Sequence, residues 1–214
     1  MIGIPVIGIV AALPAEARCL SGVEGRVLVS GVGAAAATRA CATLIAGGVE
    51  ALVSWGTAAG LTDTLSAGRV VIAGDQVWAD QLVARLGGLA VRGTIANPTA
   101  VLERPADKRA LAAATGALVA DMETEAVRVA AVAAGLPWLA VRAVADTVSV
   151  GVPASVLRAI DDEGRVRYGR LGAALLARPG DVAALPAVAR GFNAALRSLR
   201  LVARHGIAEM VAAS

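Results

Sequence analysis

Short runs built wholly of aliphatic residues alternate along this chain with alanine-rich stretches of helical length, and glycines mark most of the joints. A strand covered on both faces reads as such a run, and the helices that cover it lie between the runs. The N-terminal Met1–Val10 reads as a first strand, with Val6–Ala11 its continuous apolar part, and Pro14 opens a helix carrying Glu16 and Arg18 in its first turn. Val27–Ser30 is a second short strand. Gly31-Val32-Gly33 then turns the chain into a helix over Ala34–Ala46, which Gly47-Gly48 ends. Ala51–Trp55, Gly68–Ala73 and the region Ala90–Ala96 read as further strands, with a short amphipathic piece at Gln81–Leu86. Lys108–Ala114 is helical, Val119-Ala120 leads into a helix over Thr124–Ala134 capped by Gly135, and Pro137 opens a strand ending at Asp146. Strands alternating with helices predict an α/β fold with a central mixed, mostly parallel sheet flanked by helices.

With 214 residues, no linker and no internal repeat, the expectation is a single domain over 1–214. Hydrophobic residues make up 57% of the chain but aromatics only 2%, so the core must be small aliphatic side chains packed closely. No charge-free run is long enough to cross a membrane, and the N-terminus lacks the basic start of a secretory signal, which points to a cytoplasmic protein. Cys19 and Cys41 have no metal-ligand spacing, and one histidine supports neither a metal site nor a histidine-based triad. A net charge of +3 comes from scattered arginines with almost no stacking aromatics beside them, so no nucleic-acid partner is expected. Beyond Asp146 the chain reads as irregular to about Arg170, then as a helical extension over 171–214 packed on the domain. In Ala183–Arg204, Leu185, Val188, Leu196, Leu199 and Val202 fall to one side, with Arg190, Arg197, Arg200 and Arg204 interleaved. This is either a surface helix covering the sheet or a basic amphipathic face making peripheral contact with anionic lipid at the inner membrane surface.

Gly31-Val-Gly-Ala-Ala-Ala36, after a strand and before a helix, satisfies a G-x-G-x-x-A dinucleotide pattern. That fold requires an acid at the carboxyl end of the next strand. Here Glu50 precedes the strand and its far end reads Ser54-Trp-Gly-Thr57, so the dinucleotide reading loses its second anchor. What remains is a phosphate or ribose cradle of backbone groups at two loops, Gly31–Gly33 and Gly56–Gly60. Ligands gather at the carboxyl ends of strands in open α/β sheets, where Glu16, Glu123 and Asp146 also fall or nearly so. Turn glycines, a solvated helix-start glutamate, an acid on a helix dipole and a loop-capping aspartate explain each separately. Together they ask for one site.

The ordered segments Gly8-Ile-Val-Ala-Ala-Leu-Pro-Ala-Glu16, Ser30-Gly-Val-Gly33, Trp55-Gly-Thr-Ala-Ala-Gly60, Asp121-Met-Glu123 and Arg142-Ala-Val-Ala-Asp146 resemble the purine nucleoside phosphorylase and methylthioadenosine nucleosidase superfamily. The resemblance spans Ile4–Thr147, and the trimmed middle and arginine-rich tail look most like the hopanoid-associated phosphorylase branch. It implies cleavage of the N-glycosidic bond of a 5′-substituted adenosine, adenosylhopane above all, with release of adenine by phosphorolysis or hydrolysis. It implies no metal or organic cofactor, phosphate as a candidate co-substrate, a small-molecule nucleoside partner that is lipid-linked in the hopanoid case, and a homo-oligomer. A methylthioadenosine or S-adenosylhomocysteine nucleosidase and a non-catalytic nucleoside-binding protein are the alternatives.

On this resemblance Asp146 and Glu16 are the catalytic residues, sharing a proton with purine N7 and activating water respectively. Glu123 would accept the ribose hydroxyls with Met122 beneath the sugar. Gly31, Gly33, Thr57 and Arg18 would form the phosphate or water site, and Val101, Leu102 and Ala58 would meet the base. Three departures stand out. Ser54 occupies the place of the phosphate-binding arginine of hexamer-like phosphorylases, and Ala145 that of a serine next to the nucleosidase aspartate. The spans Leu20–Val27 and Asp75–Val91 are short, which opens the 5′ side of the pocket.

Overall fold

The computed structural model describes residues 6–159, 161 and 167–207. The predicted first strand is seen as β1 (Ile7–Ala11), its Met1–Pro5 portion lying outside the described residues, and the short helix α1 (Pro14–Ala17) follows. Strand β2 (Arg26–Val29), helix α2 (Ala34–Ala46) and strand β3 (Ala51–Gly60) come next. Then come β4 (Val70–Gly74), α3 (Gln76–Leu86), β5 (Ala90–Arg92), β6 (Ile95–Ala96), α4 (Pro105–Thr115), β7 (Val119–Ala120), α5 (Thr124–Ala133) and β8 (Trp138–Asp146). Helices α6 (Ala154–Arg158), α7 (Tyr168–Ala177) and α8 (Leu185–Val202) complete the order.

The sheet runs β2-β1-β3-β8-β4-β5, with β7 paired to the far part of β3 and β6 paired to β7. Its pairs are parallel except β4–β8 and β3–β7. The expected mixed, mostly parallel sheet is therefore present. Alternation along each strand sends side chains to two layers. From β1, Ile7, Ile9 and Ala11 enter a core under α3 and α8, whereas Val10 enters one under α2 and α5. Trp55, fully buried, is the largest side chain in the first of these.

Two elements depart from the sequence reading. Residues Gly56–Gly60, expected as a loop, continue β3, because β8 pairs with them on one side and Ala59 and Gly60 pair with β7 on the other. Helix α6 lies inside the stretch expected to be irregular. Residues 160, 162–166 and 208–214, covered by the expectations for that stretch and for the C-terminal extension, lie outside the described residues.

Helix α8 buries Ala195, Leu196, Leu199 and Val202 in the main core, while Arg190, Arg197, Arg200 and Arg204 are exposed. Its apolar side is spent on the sheet, as the surface-helix reading requires. Gly191 makes the approach possible, since a side chain there would collide with the carbonyl of Ala145. No helix among the described residues is long and apolar enough to cross a membrane.

Candidate active site

The carboxyl ends of β1, β3 and β8 converge on a group of buried acids. Glu16 enters from α1, which Pro14 starts one turn after β1, and is 2% exposed. Its Oε1 accepts hydrogen bonds from the Thr57 backbone N–H at 2.8 Å and the Thr57 hydroxyl at 2.9 Å, and its Oε2 accepts from the Leu13 N–H at 3.0 Å. Gly56 is required between them: a Cβ there would come within 2.6 Å of Arg142 and 2.8 Å of the Glu16 carboxylate. Thr57 and Ala58 lie on the same strand end, Ala58 buried.

Arg142 sits in the middle of β8, 1% exposed, paired with Gly56 in the sheet register. Its Nε donates to the Thr124 hydroxyl at 3.1 Å, one terminal nitrogen donates to Ser54 Oγ at 2.5 Å, and that nitrogen also forms an ion pair with Asp121. Asp121 is held further by Asn97, by the Thr124 hydroxyl at 2.6 Å and by the Thr124 N–H. Ser54 thus supports a guanidinium that arrives from the neighbouring strand.

Glu123 is the N-cap residue of α5, and its Oε1 accepts the Gly33 N–H at 2.7 Å. Gly31 and Gly33 adopt φ of 85° and 97°, which L side chains rarely reach, so the turn needs both glycines. The N–H that a phosphate would seek at the start of α2 is therefore already on a carboxylate. Met122, beside Glu123, is half-buried.

Asp146 ends β8 just after a register irregularity: Ala58 faces Val144 but Ala59 faces Asp146, so Ala145 is an extra residue. Such a bulge re-aims the side chain that follows. Asp146 forms an ion pair with Lys108 of α4, whose ammonium is wholly buried and also donates to the carbonyls of Thr147 at 2.9 Å and Val150 at 2.6 Å. The segment holding Val101 and Leu102 runs up to α4 and lies beside the same loop, with the Glu103 carbonyl against Gly151; Val101 is exposed and Leu102 partly buried. A cleft of about 330 Å³ borders Asp146, walled by Ala67, Ala145 and Val150 and by Arg190 and Gly191 of α8.

Burial raises the Glu16 carboxyl above its ordinary range, opposed chiefly by the charge of Arg142 and then by the donors from Thr57 and Leu13. Burial likewise raises Glu123, with Arg142 and the Gly33 N–H opposing and Asp121 adding to the rise. Asp146 is raised by burial against the pull of Lys108. Glu16, Asp121 and Glu123 thus surround a single buried guanidinium, three carboxyl groups to one fixed cation.

The structure brings Glu16, Thr57, Glu123, Gly33 and Asp146 to one end of the sheet. It does not bring Arg18, which is exposed on the turn after α1 and bonds to none of these groups among the described residues. Sequence reading gave no role to Arg142, Asp121, Thr124 or Lys108. An arginine inside the aliphatic run Leu139–Ala145 was the available signal for the first. For the last it was composition: Lys108 is the one lysine beside nineteen arginines.

Residues 77–178, just under half of the chain, match the Phosphorylase superfamily. No curated protein sequence matches. Among solved structures, a 5′-methylthioadenosine/S-adenosyl homocysteine nucleosidase from Helicobacter pylori, bound to a pyrrolopyrimidine pyrrolidinol, is 17% identical; the alignment covers 69% of this chain and 87% of that one at a TM-score of 0.62. Futalosine hydrolase of the same bacterium is 16% identical over 92% of this chain and 97% of its own, at 0.61. The nucleosidase of Streptococcus pneumoniae, with a transition-state inhibitor, is 19% identical over 90% and 99%, at 0.60. The chain has the nucleoside phosphorylase/nucleosidase fold.

Proposed function

We propose that this chain is an enzyme that cleaves the N-glycosidic bond of a 5′-substituted adenosine and releases adenine, with water as the nucleophile. The observation that carries the reading is the set of three buried carboxylates around Arg142. Heterolysis of C1′–N9 sends the electron pair to the purine and leaves positive charge on the sugar, which a negative site stabilises. The same field repels a phosphate dianion, and Arg142 is already committed to Asp121, Ser54 and Thr124. Glu16, oriented by three donors, takes the proton of the water whose oxygen bonds to C1′. Glu123 accepts the ribose hydroxyls with Met122 beneath the sugar. Asp146 meets the purine edge beside Val101, Leu102 and Ala58, where its carboxylate accepts a hydrogen bond from the proton that the departing base takes up at N7 from solvent.

The match to the Phosphorylase superfamily and the fold shared with nucleosidases and futalosine hydrolase support this reading. The test is adenine release from methylthioadenosine with and without phosphate, with the sugar product identified. Equal rates and a free 5-substituted ribose are expected, and Asp146→Asn and Glu123→Gln should each lower kcat/KM by about 100-fold or more. Wild-type rates in both variants would remove the assignment, and a phosphate requirement with a sugar 1-phosphate product would replace hydrolysis by phosphorolysis. Stabilisation by adenine without any release would mark a binding protein.

For the 5′ substituent we propose a bulky apolar group of the adenosylhopane kind. Support comes from the second trimmed span: residues 75–91 are used up by α3 and the turn to β5, with Ala79 and Leu82 buried, which leaves no long loop to close a pocket. A kcat/KM for adenosylhopane above that for methylthioadenosine is expected, and the reverse order would overturn it.

A further inference from the structure

The basic residues of this chain are arginine at nineteen positions and lysine at one. Against that bias, a lysine at a wholly buried position calls for a physical reason. An ammonium is a compact point charge with three tetrahedral donors, whereas a guanidinium is a wide planar fork. Lys108 uses its three donors on three acceptors: Asp146 Oδ2, the Thr147 carbonyl and the Val150 carbonyl. It keeps none for a ligand. Asp146 keeps its second oxygen, which has no hydrogen-bond partner among the described residues, and its side chain is 12% exposed. The bulge at Ala145 delivers the aspartate to this position, and the residue before it carries no hydroxyl.

Resting on the reading of the site as one that releases adenine, we propose that Lys108 is a positioning residue for the leaving-group step: it fixes Asp146 as an oriented carboxylate whose free oxygen receives the hydrogens of the 6-aminopurine edge. The lysine acts through the aspartate and touches no substrate atom. A carboxylate held this way accepts from the exocyclic amine and from a proton carried at N7, and it repels the carbonyl lone pairs of a 6-oxopurine. The other charged groups near Asp146 do not replace Lys108. Arg104, the N-cap of α4, is exposed and paired with the half-buried Asp107, and Arg190 of α8, at the border of the cleft, donates through Nε to the Pro186 carbonyl.

The test compares wild type with Lys108→Met on methylthioadenosine across pH. Removing the cation should lower kcat by about 100-fold while KM changes little, and should move the acidic limb of kcat/KM upward by about 1–3 pH units, the size of a neighbouring-charge effect. An active wild type with an unmoved limb in the variant overturns the role of Lys108 alone; a wild type that releases no adenine removes the reading of the site as well. Because the chain has one lysine, selective 15N labelling of lysine side chains gives a single ammonium signal in wild type, which covers the case in which the variant fails to fold. Saturating adenine should shift that signal in wild-type protein and inosine should not; no shift with adenine overturns the proposal.

Discussion

Removing Arg142 should be the most damaging single change in the candidate site, and the structure says by how much. In Arg142→Met the guanidinium that pairs with Asp121 and bonds to Ser54 and Thr124 disappears, while the volume of its stem is largely kept. Asp121 retains its donors from Asn97 and Thr124 but loses its counter-charge at a site almost closed to water. Breaking a buried pair from one side costs about 3–5 kcal/mol. For a domain of this size each kcal/mol lowers Tm by about 2–4 °C, so a loss of roughly 6–20 °C is expected. Arg142 is also the largest force opposing the rise of Glu16 and Glu123, so in its absence both carboxyls rise further. A carboxyl raised on folding contributes stability that is whole below its unfolded value and is lost as pH climbs through the folded one. The variant should therefore lose stability steeply from mildly acidic toward neutral pH, and Arg142→Met/Asp121→Asn should recover part of it. Urea denaturation at several pH values measures both effects. A loss under about 1 kcal/mol, or one independent of pH, would refute the account of Arg142 as the cation shared by three acids.

Three further outcomes follow from the same geometry. Glu16→Gln should lower kcat by about 100-fold or more while adenine still stabilises the protein, checked by turnover and thermal shift. In wild type, the raised Glu16, Glu123 and Asp146, whose ordinary values are 4.5, 4.5 and 3.8, contribute stability that is lost as pH rises above those values; Tm measured from pH 5 to 8 should show their share falling toward the upper end. Gly191→Ala forces α8 off the Ala145 carbonyl and should cost about 1–3 kcal/mol or more, with Asp146-dependent activity falling alongside, whereas Gly169→Ala, with open space around it, should be neutral by the same denaturation assay.

Sequence alone carried the parts whose causes are local. Helix α2 was legible to its last residue because positive-φ Gly33 and the Gly47-Gly48 pair bracket it. The acids were legible because a carboxylate amid aliphatic residues needs a reason. What escaped depended on partners far along the chain. Whether Gly56–Gly60 is loop or strand is decided by β7 and β8, more than 55 residues later. Whether Lys108 is a solvated helix residue or a buried counter-charge is decided by Asp146, 38 residues away. Arg142 read as an interruption of an apolar run, because nothing within β8 announces Ser54, Thr124 and Asp121.

The seating of α8 bears on how the molecule is made. The thiol of Cys19 donates to the Leu196 carbonyl across 177 residues, and Ala195, Leu199 and Val202 share a core with Ile7 and Ile9 of the first strand. Strands β1, β3 and β8 all precede α8, so the part of the sheet that α8 covers, beside α3, stays bare until residues near 200 have left the ribosome. Contacts of such long span are slow to form, and the exposed aliphatic face of a half-made chain is a surface on which chains aggregate. Growth of this protein is therefore a race between completion of α8 and collision with its neighbours, in which a chaperone that shields the nascent sheet would raise the yield of soluble protein without changing the stability of the finished fold.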